Sequence, residues 1–340
     1  MLRDKQHYRM PAEWEPQSAV QLTWPHSNTD WAPMLDEVLL TYREMAREIS
    51  RRERLIVVAP EGKAPGMLYV TCPTNDTWAR DHGFITVEET NGKSLHLLDF
   101  QFNGWGEKFP AELDNAINRR LYDLGVVKGQ YEDHLDFVLE GGSIESDGKG
   151  TIFTTSCCLL APHRNQPLTK DEIEERLKTY LGADRIVWID YGRLTGDDTD
   201  GHIDTLVRIC PDDTLLYIGC DDQQDEQYEG LHLMEEQLKT LRTTDGRHYR
   251  LLRLPLPRPI YSQQPTADSQ QSGERLPATY ANYLVINGAV LVPTYAQPDL
   301  DAEAMRIIGQ VFPDREIVGI DCRSLIKQHG SLHCCTMQYY

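Results

Sequence analysis

The chain has no run of about 18 consecutive apolar residues, the length a membrane-spanning helix requires. Residues 1–11 are polar and charged, so the basic stub and apolar stretch of an export signal are missing too. Basic residues are scarce. Lys plus Arg number 34 against 53 Asp plus Glu, a net charge of −19 that repels a phosphate backbone and draws in cations. The expectation is a soluble, unexported protein without membrane or nucleic-acid partners. The eight cysteines include no C-x-x-C pair and no ladder of spacings for zinc or a disulfide frame, which fits a reducing cytoplasm. Two adjacent pairs stand out, Cys157-Cys158 and Cys334-Cys335. Most free thiols are nonetheless expected to be buried and inert.

What is present is a repeat. A hairpin, an amphipathic helix and one further strand recur about five times. The hairpins are read at residues 84–100 with Asn91-Gly92 at the turn, 144–154 with Asp147-Gly148, 203–218 with Pro211-Asp212-Asp213, and 283–292 with Asn287-Gly288. Asn-Gly and Asp-Gly supply the positive φ angles of tight turns. Apolar residues at spacings of three and four then predict helices: Leu113, Ile117 and Leu121; Ile173, Leu177 and Leu181; Leu231, Met234 and Leu238; Ala304, Ile307 and Ile308. Thr169 with Glu172 reads as a capping box. Closing strands are expected near 134–139 and at 186–189, 249–254 and 316–320. The N-terminal piece fits the same plan, with a strand at 20–23, a helix carrying Leu35, Val38, Leu39, Tyr42, Met45 and Ile49, and a strand at 55–58. Residues 257–275, rich in Pro, Gln and Ser, read as a long loop.

The prominent polar residues occupy related places, just before a hairpin: Asp81, Glu140, His202 and Asn282. Units around an axis would bring them together, whereas a linear solenoid would not. Four segments carry the chemistry: residues 75–81 (Asn-Asp-Thr-Trp-Ala-Arg-Asp), Glu140-Gly141-Gly142-Ser143, Asp200-Gly201-His202-Ile203-Asp204, and Gly330-Ser331-Leu332-His333-Cys334-Cys335-Thr336. They supply carboxylates, an imidazole and a thiol. Extended-strand alternation would put His202 and Asp204 on one face.

In this order the segments resemble the agmatine deiminase and Porphyromonas-type peptidyl-arginine deiminase family. The likeness covers nearly the whole chain and takes in Trp14-Glu15-Pro16, Trp24-Pro25-His26, Phe102-Asn103-Gly104-Trp105-Gly106 and residues 275–282. It implies an α/β fold, a five-bladed pseudo-symmetric propeller of ββαβ units forming one catalytic domain over residues 1–340. It implies hydrolysis of a small cationic guanidine, with agmatine and water giving N-carbamoylputrescine and ammonia on the way to putrescine. No metal or cofactor is expected, and a homodimer is. Cys334 would be the nucleophile, His202 the general acid and base, and Asp81 and Asp204 the grip on the guanidinium. Glu140 would be a further active-site carboxylate, with Trp78 and Asn282 against the substrate and Trp105 at the entrance or in the core.

Physical chemistry points the same way. A guanidinium is a delocalised cation with a pKa above about 12, so its charge must be localised before anything attacks its carbon. Carboxylates on its N–H edges do so through charge-assisted bonds and hold the carbon near a sulfur. One departure concerns the substrate tail. Where the family reads Gly-Gly-Gly-Asn-Ile-His-Cys, this chain reads Gln328-His329-Gly330-Ser331-Leu332-His333-Cys334. With the chain ending soon after, the appended domains of a secreted peptide-modifying enzyme are not expected. Three rivals remain: a metal-dependent hydrolase using residues 197–204, an amidinotransferase, and a silent guanidine-binding protein.

Overall fold

The computed structural model describes residues 8–62, 68–90, 92, 94–262 and 273–340. Asn91 of the first expected turn, and residues 263–272 of the expected loop, lie outside the described residues. The strands, in chain order, are β1 (Tyr8–Arg9), β2 (Ala19–Thr23), β3 (Arg54–Ala59), β4 (Leu68–Thr71), β5 (Ile85–Glu89), β6 (Leu95–Gln101), β7 (Gln130–Val138), β8 (Ile144–Ser146), β9 (Thr151–Thr155), β10 (Arg185–Ile189), β11 (Val207–Cys210), β12 (Thr214–Gly219), β13 (Arg250–Pro255), β14 (Leu284–Ile286), β15 (Ala289–Thr294), β16 (Glu316–Asp321) and β17 (Thr336–Tyr339).

They form five sheets among the described residues, ordered β17-β2-β3-β4, β1-β5-β6-β7, β10-β9-β8, β11-β12-β13 and β14-β15-β16. Four repeat one plan: an antiparallel hairpin, a helix, then a strand returning parallel to the hairpin's second strand. The return helices are Glu112–Asp123, Lys170–Leu181, Tyr228–Thr240 and Pro298–Val311. In the N-terminal unit Leu35–Ser50 links β2 to its parallel neighbour β3. The antiparallel partner of β2 is β17, from the opposite end of the chain, in register from Thr336 opposite Leu22 to Tyr339 opposite Ala19. The fold is therefore mixed α/β.

Local chemistry accounts for the helices. Thr169 and Glu172 form a reciprocal capping box, and Gly182 closes the same helix in the left-handed conformation. Ile173, Leu177 and Leu181 are fully buried, as are Leu231, Met234 and Ala304. Leu113 departs from its expected stripe and is exposed, because it falls in the first turn of Glu112–Asp123. Polar residues replace it on the buried face: Asp114 accepts the backbone N–H of Asn75 at 2.8 Å, and Asn118 donates to the His82 carbonyl at 2.8 Å. The helix thereby anchors the segment that carries Asp81.

The strand expected from residue 203 begins at Val207 instead. Ile203–Thr205 is a 3₁₀ turn, fixed by the Thr199 hydroxyl accepting His202 N–H at 3.0 Å and by the Thr205 hydroxyl donating to the His202 carbonyl at 2.8 Å. His202 and Asp204 thus share a side through a tight turn, not through strand alternation.

Candidate active site

The candidate site residues sit on the short segments that precede the first strand of each unit. Asp81 is in the helical turn Ala79–His82 before β5, Glu140 precedes the turn Gly141–Ser143 before β8, and His202 leads into the turn before β11. Asn282 stands before β14, and Cys334 lies in the turn His333–Cys335 before β17.

These five positions converge. A Cβ placed on Gly142 would lie 2.6 Å from His202 Nδ1, 3.0 Å from Asp81 Oδ1 and 3.1 Å from Asp204 Oδ2, so all three groups abut a backbone that tolerates no side chain there. Gly142 N–H donates to Asp81 Oδ1 at 3.1 Å, and Trp105 Nε1 donates to its other oxygen at 3.0 Å. The His202 ring lies between two carboxylates, with Nδ1 3.6 Å from Asp81 and Nε2 3.7 Å from Glu140. Cys334 Sγ is 4.0 Å from Asp204 Oδ2. Among the described residues both His202 nitrogens and Asp204 Oδ1 are buried and find no hydrogen-bond partner, an arrangement proteins avoid unless a ligand completes it.

A cavity of about 150 Å³ opens onto this cluster, lined by Trp78, Asp81, Trp105 and Cys334 with Asp30, Asp76 and Asp198. His329 and Gly330 form part of its wall. A Cβ on Gly330 would meet the Trp78 ring at 2.2 Å, so this glycine of the divergent segment allows the indole its place. His329 holds a left-handed φ of 66° and bonds through Nδ1 to the Gly196 carbonyl at 2.8 Å.

Asn282 is fully buried, and its carboxamide is engaged by the thiol's own turn. Its Oδ1 accepts His333 N–H at 2.9 Å and Cys334 N–H at 3.3 Å. Cys335 points elsewhere, toward the Ser331 carbonyl at 3.3 Å, and burial raises its pKa to about 12. Within residues 197–204, Asp197 and Asp200 do not join His202 and Asp204 at one point. Asp197 braces its own loop by bonding Thr199 and Gly201, while Asp200 pairs with Lys108 at 2.9 Å and Arg164 at 2.8 Å.

Electrostatics follow from burial and pairing. Burial pushes Asp81 up to about 6, with His202 opposing and Asp204 and Glu140 reinforcing the rise. Burial disfavours charge on His202, but the neighbouring Asp81, Cys158 and Glu140 outweigh it and hold its pKa well above the usual histidine value. Burial also opposes charge on Glu140 and Asp204. Pairing with His202 and Arg164 keeps Glu140 below the ordinary range, and the 2.7 Å bond to His333 does so for Asp204. Burial, then Asp204 and Asp81, raise the Cys334 thiol well above its ordinary value.

Sequence reasoning missed several participants. Arg164 pairs with Glu140, and Cys158 lies 3.8 Å from the same carboxylate. His333 is held between Asp204 and Glu13, and Glu13 pairs with buried Arg208. No local pattern marks these residues, since each contact joins residues at least 18 positions apart in the chain.

The fold and the site define a mixed α/β protein with a buried thiol, three carboxylates and an imidazole beside one small cavity, which Cys334 and Asp81 line. Residues 9–339 match the model of the Porphyromonas-type peptidyl-arginine deiminase family, and the chain belongs to that family. Agmatine deiminase of Medicago truncatula is 32% identical, with 97% of this chain and 96% of that protein aligned. A Porphyromonas gingivalis protein provisionally named an arginine deiminase is 50% identical, covering 98% of each chain at a TM-score of 0.90. A cysteine-to-serine variant of C. jejuni agmatine deiminase with substrate bound is 36% identical, covering 100% of this chain and 98% of that one, also at 0.90.

Proposed function

We propose that the protein is a cysteine-dependent deiminase that converts agmatine and water to N-carbamoylputrescine and ammonia. The observation that carries this reading is the convergence of Asp81, His202 and Asp204 on Gly142, with the Cys334 thiol 4.0 Å from Asp204. The agmatine deiminases among its relatives support it. With it go a five-bladed ring of the five sheets, a single domain over residues 1–340, a homodimer and a cytoplasmic setting.

In this mechanism the guanidinium enters as a cation and is gripped by Asp81 and Asp204. Its charge offsets theirs, so the thiol that they hold protonated in the free enzyme can ionise, its proton passing to solvent. Cys334 Sγ attacks the guanidinium carbon and forms a tetrahedral adduct. His202, protonated between Asp81 and Glu140, gives its proton to the departing nitrogen, and the C–N bond breaks to release ammonia. An S-alkylthiouronium remains on Cys334. Neutral His202 then takes a proton from water, whose oxygen attacks the same carbon. Cleavage of the C–S bond returns the sulfur as thiolate, which takes the proton of the newly added hydroxyl and leaves the urea.

The acidic lining favours agmatine over free arginine. Asp30, Asp76 and Asp198 would meet a second positive charge favourably and an α-carboxylate unfavourably. The test is ammonia release from agmatine, free arginine and a peptidyl arginine, with no added amine acceptor. The expected order puts agmatine first. Equal or faster turnover of the peptide would overturn the substrate assignment, and saturable binding without ammonia would overturn the enzymatic reading.

A further inference from the structure

Behind the catalytic imidazole lies a second group of metal-binding character. Glu140, Cys158 and His202 are fully buried, and one ligand atom from each lies within 4.8 Å of the others. Arg164 Nε occupies Glu140 Oε1 at 2.8 Å, leaving Oε2 to face Cys158 Sγ at 3.8 Å and His202 Nε2 at 3.7 Å. His202 Nε2 has no hydrogen-bond partner. In a tetrahedral zinc site, metal–ligand distances of about 2.0–2.3 Å put adjacent ligand atoms about 3.3–3.6 Å apart, so the carboxylate oxygen need close on the sulfur and the imidazole by only about 0.3–0.4 Å.

We propose that Glu140, Cys158 and His202 form a site for a borderline divalent cation, Zn²⁺ in particular, whose occupancy switches the enzyme off. The donors are a thiolate, an imidazole and a carboxylate, a set that suits zinc or cobalt and disfavours magnesium or calcium. On binding, Cys158 releases its thiol proton to solvent, and thiolate plus carboxylate balance the two positive charges. Arg164 stays on the far oxygen and fixes the carboxylate's orientation, as outer-shell partners of metal ligands do. A bound ion ties up the imidazole nitrogen beside Glu140, so His202 can no longer hold and pass the proton that deimination needs. Glu13, Glu145 and His333 make the other such grouping among the described residues, but Arg208 already sits there, bonded to both glutamates.

The effect on turnover rests on the deiminase reading, whereas ion binding does not. Chelator-treated full-length protein would be titrated with Co²⁺ alone, followed by the near-ultraviolet thiolate-to-cobalt charge-transfer band, and then with Zn²⁺. Wild type and Cys334→Ser should both develop the band and lose it as Zn²⁺ displaces Co²⁺. Cys158→Ser and Cys158→Ala should lack it, with circular dichroism confirming that either is folded. Zn²⁺ should abolish agmatine turnover in wild type, reversibly with chelator. In a Cys158 variant the half-inhibiting concentration should rise at least about tenfold. A band absent from wild type, or one that follows Cys334 in place of Cys158, overturns the proposal. A band that follows Cys158 in a protein that turns over no guanidine leaves the ion site standing and removes the catalytic reading.

Discussion

Asn282 Oδ1 lies 3.3 Å from Cys334 Sγ and accepts the backbone N–H groups of both His333 and Cys334. One carboxamide oxygen therefore holds the turn that presents Cys334 and takes the hydrogen of its resting thiol. Asn282→Ala leaves the buried Cys334 N–H unsatisfied, while His333 N–H keeps the Asn282 backbone carbonyl at 3.2 Å, and it should destabilise the protein by about 1–3 kcal/mol. It should also lower kcat by roughly 10²-fold through misplacement of the sulfur. Urea unfolding and steady-state kinetics check both, and an unchanged kcat would separate Asn282 from catalysis.

Cys334 and Cys335 are adjacent, yet only Cys334 lines the cavity. Cys334→Ser should lower kcat by roughly 10⁵–10⁶-fold while still binding agmatine, whereas Cys335→Ser should keep most of the rate. Calorimetric titration of the inactive variant with agmatine measures the binding that remains. Full turnover in Cys334→Ser would refute the covalent route.

The raised pKa of Asp81, about 6, sets a pH dependence with a definite sign. Above pH 6 the carboxylate is charged and grips a cation; as pH falls through 6 it protonates and the grip weakens. Agmatine affinity of Cys334→Ser should therefore hold steady from pH 7 to 8 and then fall by up to about tenfold per unit below 6. Affinity that stays flat down to pH 4.5 would show that Asp81 does not carry the binding charge.

Gly142 provides a geometric test. Its φ is not left-handed, so Gly142→Ala strains no backbone, but the new methyl meets His202, Asp81 and Asp204 within 2.6 to 3.1 Å. Those side chains must shift, and a displacement near 1 Å is enough to lower kcat/KM by about 10²-fold. Normal kinetics in a folded Gly142→Ala protein would mean the three groups need not lie where they do.

Local signals make parts of the fold legible in the sequence. Asp147-Gly148 and Asn287-Gly288 mark their hairpins because tight turns need positive φ, and Gly148 and Gly288 have it, at 70° and 75°. The stripe Ile173, Leu177 and Leu181 fixes a helix face whose start the Thr169–Glu172 box defines. Pairing of β17 with β2 is not legible, because no local pattern records which distant strand completes a sheet. The segment 202–204 misleads because three residues with an apolar centre fit a strand and a 3₁₀ turn equally well. Cys158 and Arg164 carry no sequence signal of their role, since their partners, Glu140 and His202, belong to other segments and meet them only after folding.

Arg208 links the fold to the site over the longest path. It is fully buried, with Nε 2.6 Å from Glu145, a pairing to Glu13, and Nη1 donating to the Ala281 carbonyl at 3.0 Å. Glu13 in turn meets His333 at 2.9 Å, and His333 holds Asp204 at 2.7 Å. Arg208→Gln strands buried Glu145 and part-buried Glu13 without their cation, which should destabilise the protein by about 3–5 kcal/mol. It should also loosen Asp204, raising KM for agmatine more than it lowers kcat if that carboxylate binds the ground-state cation. Adding Glu145→Gln removes one stranded charge and should restore part of the stability without restoring KM, because Glu13 and His333 remain unbraced. Urea midpoints of the single and double variants, read beside their KM values, separate the two effects. Equal recovery of both would place Asp204 outside the influence of this network.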